Sequence, residues 1–366
     1  MTVAITALGT AVPGFKSSQE QVVELMSGQF NLGPVEKRRL RMAYMSAGIH
    51  TRHSVLEDFV RLTGPFSFFP NDPDAPFPST EDRMDIYKAE ARPLAAKAIL
   101  NCFAGREIQN EGITHIITVS CTGMYAPGLD IDIIRDFSLS TNIHRTTINF
   151  MGCYGAFAGL KMAHAICKAE SSAKVLLVSV ELCSIHFQKS NSVDNLIASA
   201  VFADGASAVL VESHPSTAKY IAIDQFYCDI IPQSTQEMAW EIGNQGFNIV
   251  LSSYVPKLIE SGMDSFAEKL FAQSPLSIEN MDYFAIHAGS KKILESAERA
   301  LKMDPRLNQH SHAILQEYGN MSSATILFIL KSIWETVTEK EDKANIFSCA
   351  FGPGLTVESM LLKIHA

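Results

Sequence analysis

GCYGAFAGLKMA (152–163) and GNMSSATILFIL (319–330) decide how this chain is organised. Each stretch opens on a glycine beside a sulfur-bearing or polar residue and runs on into a helix rich in small or apolar side chains. A buried strand follows each helix: KVLLVSVEL (174–182) after the first, NIFSCAFG (345–352) after the second. A second rhyme joins ADGASAVLVES (203–213) to FGPGLTVESML (351–361). The repeat is faint, but it points to an internal duplication with halves 1–213 and 214–366. Strands alternating with helices predict an α/β chain of mixed sheets covered by helices. Glycine and alanine permit close backbone approach, so the two helices are expected side by side at the centre. Their N-termini then converge on one pocket, bringing Cys153 and Asn320 together.

Bulk properties narrow the function. The 366 residues exceed the usual size of a single core, and 47% of them are hydrophobic, enough to bury a large interior. The formal charge of −9 argues against nucleic acid as a partner, because phosphate recognition wants a basic footprint. Seven cysteines, an odd number with no C-x-x-C pair, indicate neither a disulfide framework nor a zinc site. No signal peptide or membrane span is visible, so free thiols in a reducing cytoplasm are expected.

Along the chain, Ser17/Ser18 cap a helix over 19–28, and a basic helix covers 34–50. The stretch 63–80 carries five prolines and reads as a long irregular loop, followed by a helix over 82–102. Strands are expected at 2–8, 115–120, 146–150, 174–182, 206–212, 220–227 and 282–289. A long helix over 247–272, broken near Pro256, is expected in the second half.

Cys153 sits at a helix N-terminus, where the macrodipole and unpaired N–H groups favour a thiolate. Free cysteines are more often small buried hydrophobes, and Cys102, Cys167 and Cys183 read that way. His287 ends an apolar strand before a glycine turn; Asn320 lies between Gly319 and a helix start. Taken singly, these read as a core histidine and a helix cap. Together, a Cys–His–Asn set suits nucleophilic acyl transfer: His287 holds the thiolate as an ion pair, and His287 and Asn320 donate to an oxyanion.

Four blocks, MGCYGAFAGLKMA, FAIHAGSKKIL, EYGNMSSATILFIL and AFGPGLTVES, resemble the signatures of type III polyketide synthases. These are the chalcone synthase-like family of the thiolase superfamily, and the resemblance runs from about residue 3 to 364. It implies a duplicated five-layered αβαβα thiolase fold and a homodimer using coenzyme A thioesters. It makes Cys153 the acyl-carrying nucleophile, and His287 and Asn320 the groups that bind malonyl-CoA and stabilise its enolate. Phe202 matches the gatekeeper phenylalanine, whose apolar ring beside the malonyl carboxylate favours loss of CO2. Gly352, Pro353 and Gly354 match a loop shaping the cavity wall; Thr122, His186 and Ser322 match cavity-lining positions. Ala126 falls where the family inserts a side chain into its partner's cavity. Arg38 and Arg41 in the basic helix are the candidates for the coenzyme A phosphates. The resemblance implies no metal or redox cofactor.

Two positions depart from plant members. Ile249 falls at a second gatekeeper phenylalanine, with Phe247 two residues away, and Trp240 replaces a glycine, narrowing that wall. CTG and ELCSIHFQ look like bacterial enzymes making alkylpyrones, alkylresorcinols or small aromatic polyketides, which points to a fatty acyl starter. A single-round β-ketoacyl synthase stays open, although His287-Ala288-Gly289-Ser290 departs from the His-Gln-Ala-Asn usual there. An acyl-CoA thioester hydrolase and a non-catalytic acyl-CoA-binding protein also stay open.

Overall fold

The computed structural model describes residues 2–61, 63–72, 74–104, 107–189, 193–231 and 236–366. The first half supplies β1 (Val3–Ala11), β2 (Phe15–Ser18), β3 (Thr51–Ser54), β4 (His115–Ser120), β5 (His144–Asn149), β6 (Lys174–Leu182) and β7 (Asp204–Ser213). The second supplies β8 (Tyr220–Ile230), β9 (Met238–Gly243), β10 (Gly246–Leu251), β11 (Tyr283–Ile286), β12 (Ala344–Gly352) and β13 (Thr356–His365). Nine strands form one mixed sheet in the order β11-β12-β13-β8-β1-β7-β6-β4-β5.

Outward from its centre, that order repeats. β1 pairs antiparallel with β7 as β8 does with β13, and β7 pairs antiparallel with β6 as β13 does with β12. β6 runs parallel to β4 as β12 does to β11. The half-sheets join where Ala4 and Ile5 face Ala222 and Ile221. Only β5, on the outer edge, lacks a counterpart among the described strands. Helix Thr80–Phe103 covers one face of β1, β6 and β7, and helix Gly155–Ala169 lies on β4, β6 and β7. Helix Thr325–Thr336 touches β1 and β7 of one half and β11 of the other. On the outer side of the second half, helix Val255–Phe271 sets Phe266 against Tyr227 (5.1 Å between rings) and Phe271 against Phe347 (6.1 Å). Two half-sheets of repeated order, with helices on both faces, make the duplicated mixed α/β fold that the resemblance implied.

The central helices meet at their N-termini. A Cβ at Gly155 would come within 3.3 Å of the Ser323 Cβ and 2.9 Å of a Val119 methyl, so only glycine permits that approach.

Three expectations are corrected. The helix expected over 247–272 starts at Val255, because Gly246–Leu251 pairs antiparallel with Met238–Gly243 as a hairpin. Pro256 sits in the first helical turn, where its missing N–H is harmless; it marks a start and not a break. The basic helix ends at Ser46, and Thr51–Ser54 instead pairs with Phe15–Ser18. A helix at Gln309–Tyr318 was not expected. The Ser18 cap is present, as a capping box with Gln21.

The proline-rich loop, whose Pro73 lies outside the described residues, is held by one buried carboxylate. Asp58 accepts from Ser67 N, Ser67 Oγ, Phe68 N and Phe69 N, all at 2.8 Å. Asp58→Ala strands these donors and is expected to destabilise the protein by about 3 kcal/mol. Urea unfolding measures the loss, and proteolysis first at 63–80 locates it.

Candidate active site

Cys153 sits in a single 3₁₀ turn, Gly152–Tyr154, that leads directly into helix Gly155–Ala169. Gly152 has φ +73°, and a Cβ there would lie 2.2 Å from the Pro353 ring. Any other residue would push the 352–354 loop off the thiol. Asn320 follows Gly319 at the start of the opposite central helix. Its backbone bonds Val201 O (2.8 Å) and Ala203 N (2.9 Å), forming a single bridge with Phe202. The gatekeeper candidate and the carboxamide are therefore fixed to one another. His287 directly follows β11, with its N–H on Cys349 O at 2.8 Å.

One chamber collects these groups. Its walls include Cys153, His287, Asn320, Phe202, Thr122, Ser322 and Pro353, together with Cys121, Cys183, Trp240 and Ile249. Its free volume is about 60 Å³. The Asn320 carboxamide lies 3.9 Å (Nδ2) and 4.0 Å (Oδ1) from Cys153 Sγ. Ser322 N donates to Asn320 Oδ1 at 2.9 Å, and Nδ2 donates to Gly289 O at 3.4 Å. The carboxamide orientation is thus set, with Nδ2 on the donor side. Neither ring nitrogen of buried His287 has a hydrogen-bond partner within bonding distance among the described residues, which leaves the imidazole able to engage a substrate.

The protonation states differ from the sequence expectation. Burial pushes the Cys153 thiol up to about 12, partly offset by the Ser322 and Asn320 side chains. Burial pushes His287 down to about 4, partly offset by Asn320. Both shifts favour the thiol and the neutral imidazole over the thiolate–imidazolium pair. Desolvation in an apolar cavity outweighs the helix terminus that suggested a thiolate.

The remaining candidates divide. Ile249 and not Phe247 lines the chamber. Phe247 instead stacks on His186, rings 4.1 Å apart. His186 stands in the wall behind: its ring nitrogens face Thr122 O (2.6 Å) and Phe247 N (3.1 Å), which fixes a neutral tautomer protonated at Nε2. Burial pushes that ring down to about 3. Imidazoles kept neutral in the fold stabilise it above the unfolded value of about 6.5, and the contribution is lost as pH falls towards the folded value. Urea unfolding between pH 7 and 5 is expected to show a loss approaching about 1.4 kcal/mol per pH unit for each of His186 and His287. His186→Phe should remove its share. Pro353 lines the chamber; Gly352 abuts the Tyr154 ring and Gly354 takes φ +74°. Ala126 is exposed, away from its own chain's chamber.

A cleft of about 260 Å³ borders the chamber, sharing Leu251 and Ile293 with it. Ala43 and Ser46 of helix Pro34–Ser46 line it. Helical spacing places Arg39 on that face, at i−4 from Ala43, with Arg38 about 100° round the helix and Arg41 on the opposite side. Arg41 lies 3.1 Å from Glu20.

Sequence reasoning missed Glu181. Fully buried in β6, it accepts from Cys121 N (3.0 Å), Thr122 Oγ1 (2.7 Å) and Ser323 Oγ. Burial raises its pKa against these donors. It ties the 120–122 loop to the turn after Asn320, directly behind the thiol. The signal was a lone acid in the apolar run KVLLVSVEL, which demands partners once buried. Cys183, read as core, is buried but forms part of the chamber wall. Trp240 is pinned by its indole N–H to Cys121 O at 2.8 Å.

Residues 2–215 match the N-terminal domain of chalcone and stilbene synthases, and residues 222–365 match the C-terminal domain. The chain belongs to the chalcone and stilbene synthase family. Its relatives include the alpha-pyrone synthesis polyketide synthase-like Pks18 of Mycobacterium tuberculosis, 28% identical over 98% of this chain and 91% of that protein. A probable polyketide synthase of Dictyostelium discoideum is 28% identical over 98% of this chain, which spans 11% of its length. Among solved structures, the C-terminal type III polyketide synthase domain of Steely1, a Dictyostelium type I/III hybrid, superposes with TM-score 0.89 at 26% identity, covering 100% of both chains. PKS-I of the brown alga Ectocarpus siliculosus gives TM-score 0.89 at 25% identity over 99% of this chain and 98% of the other. The synthase is a type III polyketide synthase, an acyltransferase that builds carbon–carbon bonds by Claisen condensation.

Proposed function

We propose that this synthase loads an acyl group from acyl-CoA onto Cys153, extends it with malonyl-CoA, and releases a cyclised pyrone, resorcinol or related polyketide. The convergence of Cys153, His287 and Asn320 with Phe202 in one apolar chamber carries this reading. The neutral His287 takes the thiol proton as Cys153 attacks the starter thioester, so both charges appear together and coenzyme A leaves as a thiol. Malonyl-CoA then occupies the chamber with its thioester oxygen on His287 and Asn320. Beside Phe202 its carboxylate is poorly solvated, which favours CO2 loss. The enolate left behind is held by two hydrogen-bond donors, so no metal or redox cofactor is required. Its carbon attacks the acyl–Cys153 thioester, and the longer chain returns to Cys153 for the next round.

Arg39 suits the coenzyme A phosphates better than Arg38 or Arg41, because it shares a face with the cleft-lining Ala43 and Ser46. β5, unpaired on its outer side among the described strands, and the exposed Ala126 suit a homodimer contact. A cytoplasmic setting fits the absence of disulfides among the seven cysteines. No described helix is long and apolar enough to cross a membrane.

Chamber size bears on the starter. A volume of about 60 Å³ holds about four to six waters, which suits a short acyl group. Behind Phe202, Trp240 and Ile249 lies a second cavity of about 50 Å³. A fatty acyl starter needs that space too, and Trp240 stands between. Trp240→Gly is expected to join the cavities and raise kcat/KM for decanoyl-CoA over acetyl-CoA by about tenfold or more. An unchanged ratio would show that the indole does not limit chain length.

Incubating the purified synthase with acyl-CoA and labelled malonyl-CoA tests the proposal. Labelled cyclised product supports it; free acid without malonyl-CoA consumption supports hydrolysis, and one ketide per turnover supports a single-round synthase.

A further inference from the structure

The outward side of helix Pro34–Ser46 is unusual. Val35, Met42 and Met45 are 66%, 64% and 44% exposed. At i, i+7 and i+10 they form one stripe about 15 Å long, with Arg38 in its line. Around it stand Lys37, Arg39 and Arg41, against a single acid, Glu36. Lys37 and Arg41 are engaged by Glu24 and Glu20, but Arg38 and Arg39 make no ion pair among the described residues. Across the cleft Lys292 lines the opposite lip, also without an ion pair among the described residues. A chain of net charge −9 thus gathers cations without ion pairs among the described residues, together with exposed methionines, at the rim of a cleft that borders the chamber.

Coenzyme A accounts for cations facing the cleft. It does not account for three exposed apolar side chains set side by side next to that face. The geometry points to a second donor: an acidic acyl carrier protein, whose helix docks on this rim while its acyl-phosphopantetheine arm enters the cleft. Acidic side chains would meet Arg38, Arg39 and Lys292, and its apolar residues Val35, Met42 and Met45. An anionic bilayer suits the rim less well. It would meet a whole face of a protein carrying −9, whereas a small domain meets the rim alone. The transfer balances simply: Cys153 Sγ bonds the acyl carbon, the carrier's sulfur–acyl bond breaks, and the Cys153 proton ends on the pantetheine thiol. The inference rests on the synthase reading above and adds the protein that presents the starter.

The test uses an acidic bacterial fatty-acid carrier protein charged with hexanoate, hexanoyl-pantetheine, and hexanoyl-CoA, with acylated Cys153 measured by intact mass. The carrier is expected to prime about tenfold or more faster than hexanoyl-pantetheine at low salt, an advantage that fades as salt rises. Met42→Glu with Met45→Glu should abolish that advantage while leaving priming by hexanoyl-CoA within about twofold. Circular dichroism checks that the double variant folds. A carrier no better than bare hexanoyl-pantetheine, or an advantage that survives the double substitution, overturns the inference. Flotation with phosphatidylglycerol vesicles that the double variant loses, without any carrier advantage, would reassign the rim to a membrane. Failure of hexanoyl-CoA itself to prime, or of malonyl-CoA to extend, would instead sink the synthase reading.

Discussion

Cys153→Ala is expected to lose polyketide formation by about a thousandfold or more while still releasing CO2 from malonyl-CoA. The split follows from where the groups sit. Priming and condensation both need a covalent acyl thioester, and Cys153 offers its sulfur 3.9 Å from Asn320 Nδ2 in the chamber. The donors for the malonyl enolate, His287 and Asn320, stand on other elements and keep their own supports. Asn320 is held by Val201, Ala203, Ser322 and Gly289; His287 is anchored through its backbone to Cys349. Removing one sulfur leaves that arrangement standing. Scintillation counting of 14CO2 from carboxyl-labelled malonyl-CoA, beside product analysis, reads both halves. Full condensation by the variant would remove Cys153 from its role.

Asn320→Ala should show the opposite pattern. Loss of one enolate donor is expected to slow malonyl decarboxylation by about a hundredfold to a thousandfold, with acylation of Cys153 reduced far less. His287→Ala should fail in both steps, since the imidazole serves as proton acceptor for the thiol and as donor to the thioester oxygen. The comparison separates roles that a single activity assay would merge. An Asn320→Ala enzyme that decarboxylates normally but cannot be acylated would invert the assignment. The substitution carries a structural risk, because Ser322 N loses its acceptor at Asn320 Oδ1. Asn320→Asp keeps that acceptor and replaces the donor with a carboxylate, so it should decarboxylate as poorly as the alanine variant in a better-supported turn.

The duplication was readable because its cause is local. Two helices can cross closely only where side chains are small, and a chemistry-bearing residue at each N-terminus marks the meeting point. Cys153 and Asn320 were legible as a converging pair for that reason, whereas His287 was legible as a strand end before a glycine turn, and the blocks around all three carried the resemblance. The β9–β10 hairpin was not. GFNIVL places apolar residues where either a helix or a strand can use them, and Pro256 reads alike as a break or a first-turn residue until the neighbouring strand is known. A helix terminus is visible in sequence, whereas the burial that pushes the Cys153 thiol up is not. The choice among Arg38, Arg39 and Arg41 depends on helix phase, which is fixed by contacts with the 193–201 helix and the cleft. Trp240 could be suspected of narrowing the chamber, but its bond to Cys121 O, which makes it a fixed wall, depends on tertiary structure alone.

A crystal structure of the synthase with a decarboxylation-resistant malonyl-CoA analogue tests the central claim most directly. The thioester oxygen should lie within hydrogen-bond distance of both the His287 ring and Asn320 Nδ2, with the carboxylate mimic against Phe202 and Cys153 Sγ beside the reacting carbon. A thioester oxygen bound by other groups, or an analogue seated outside the chamber that Cys153, His287 and Asn320 share, would contradict the account.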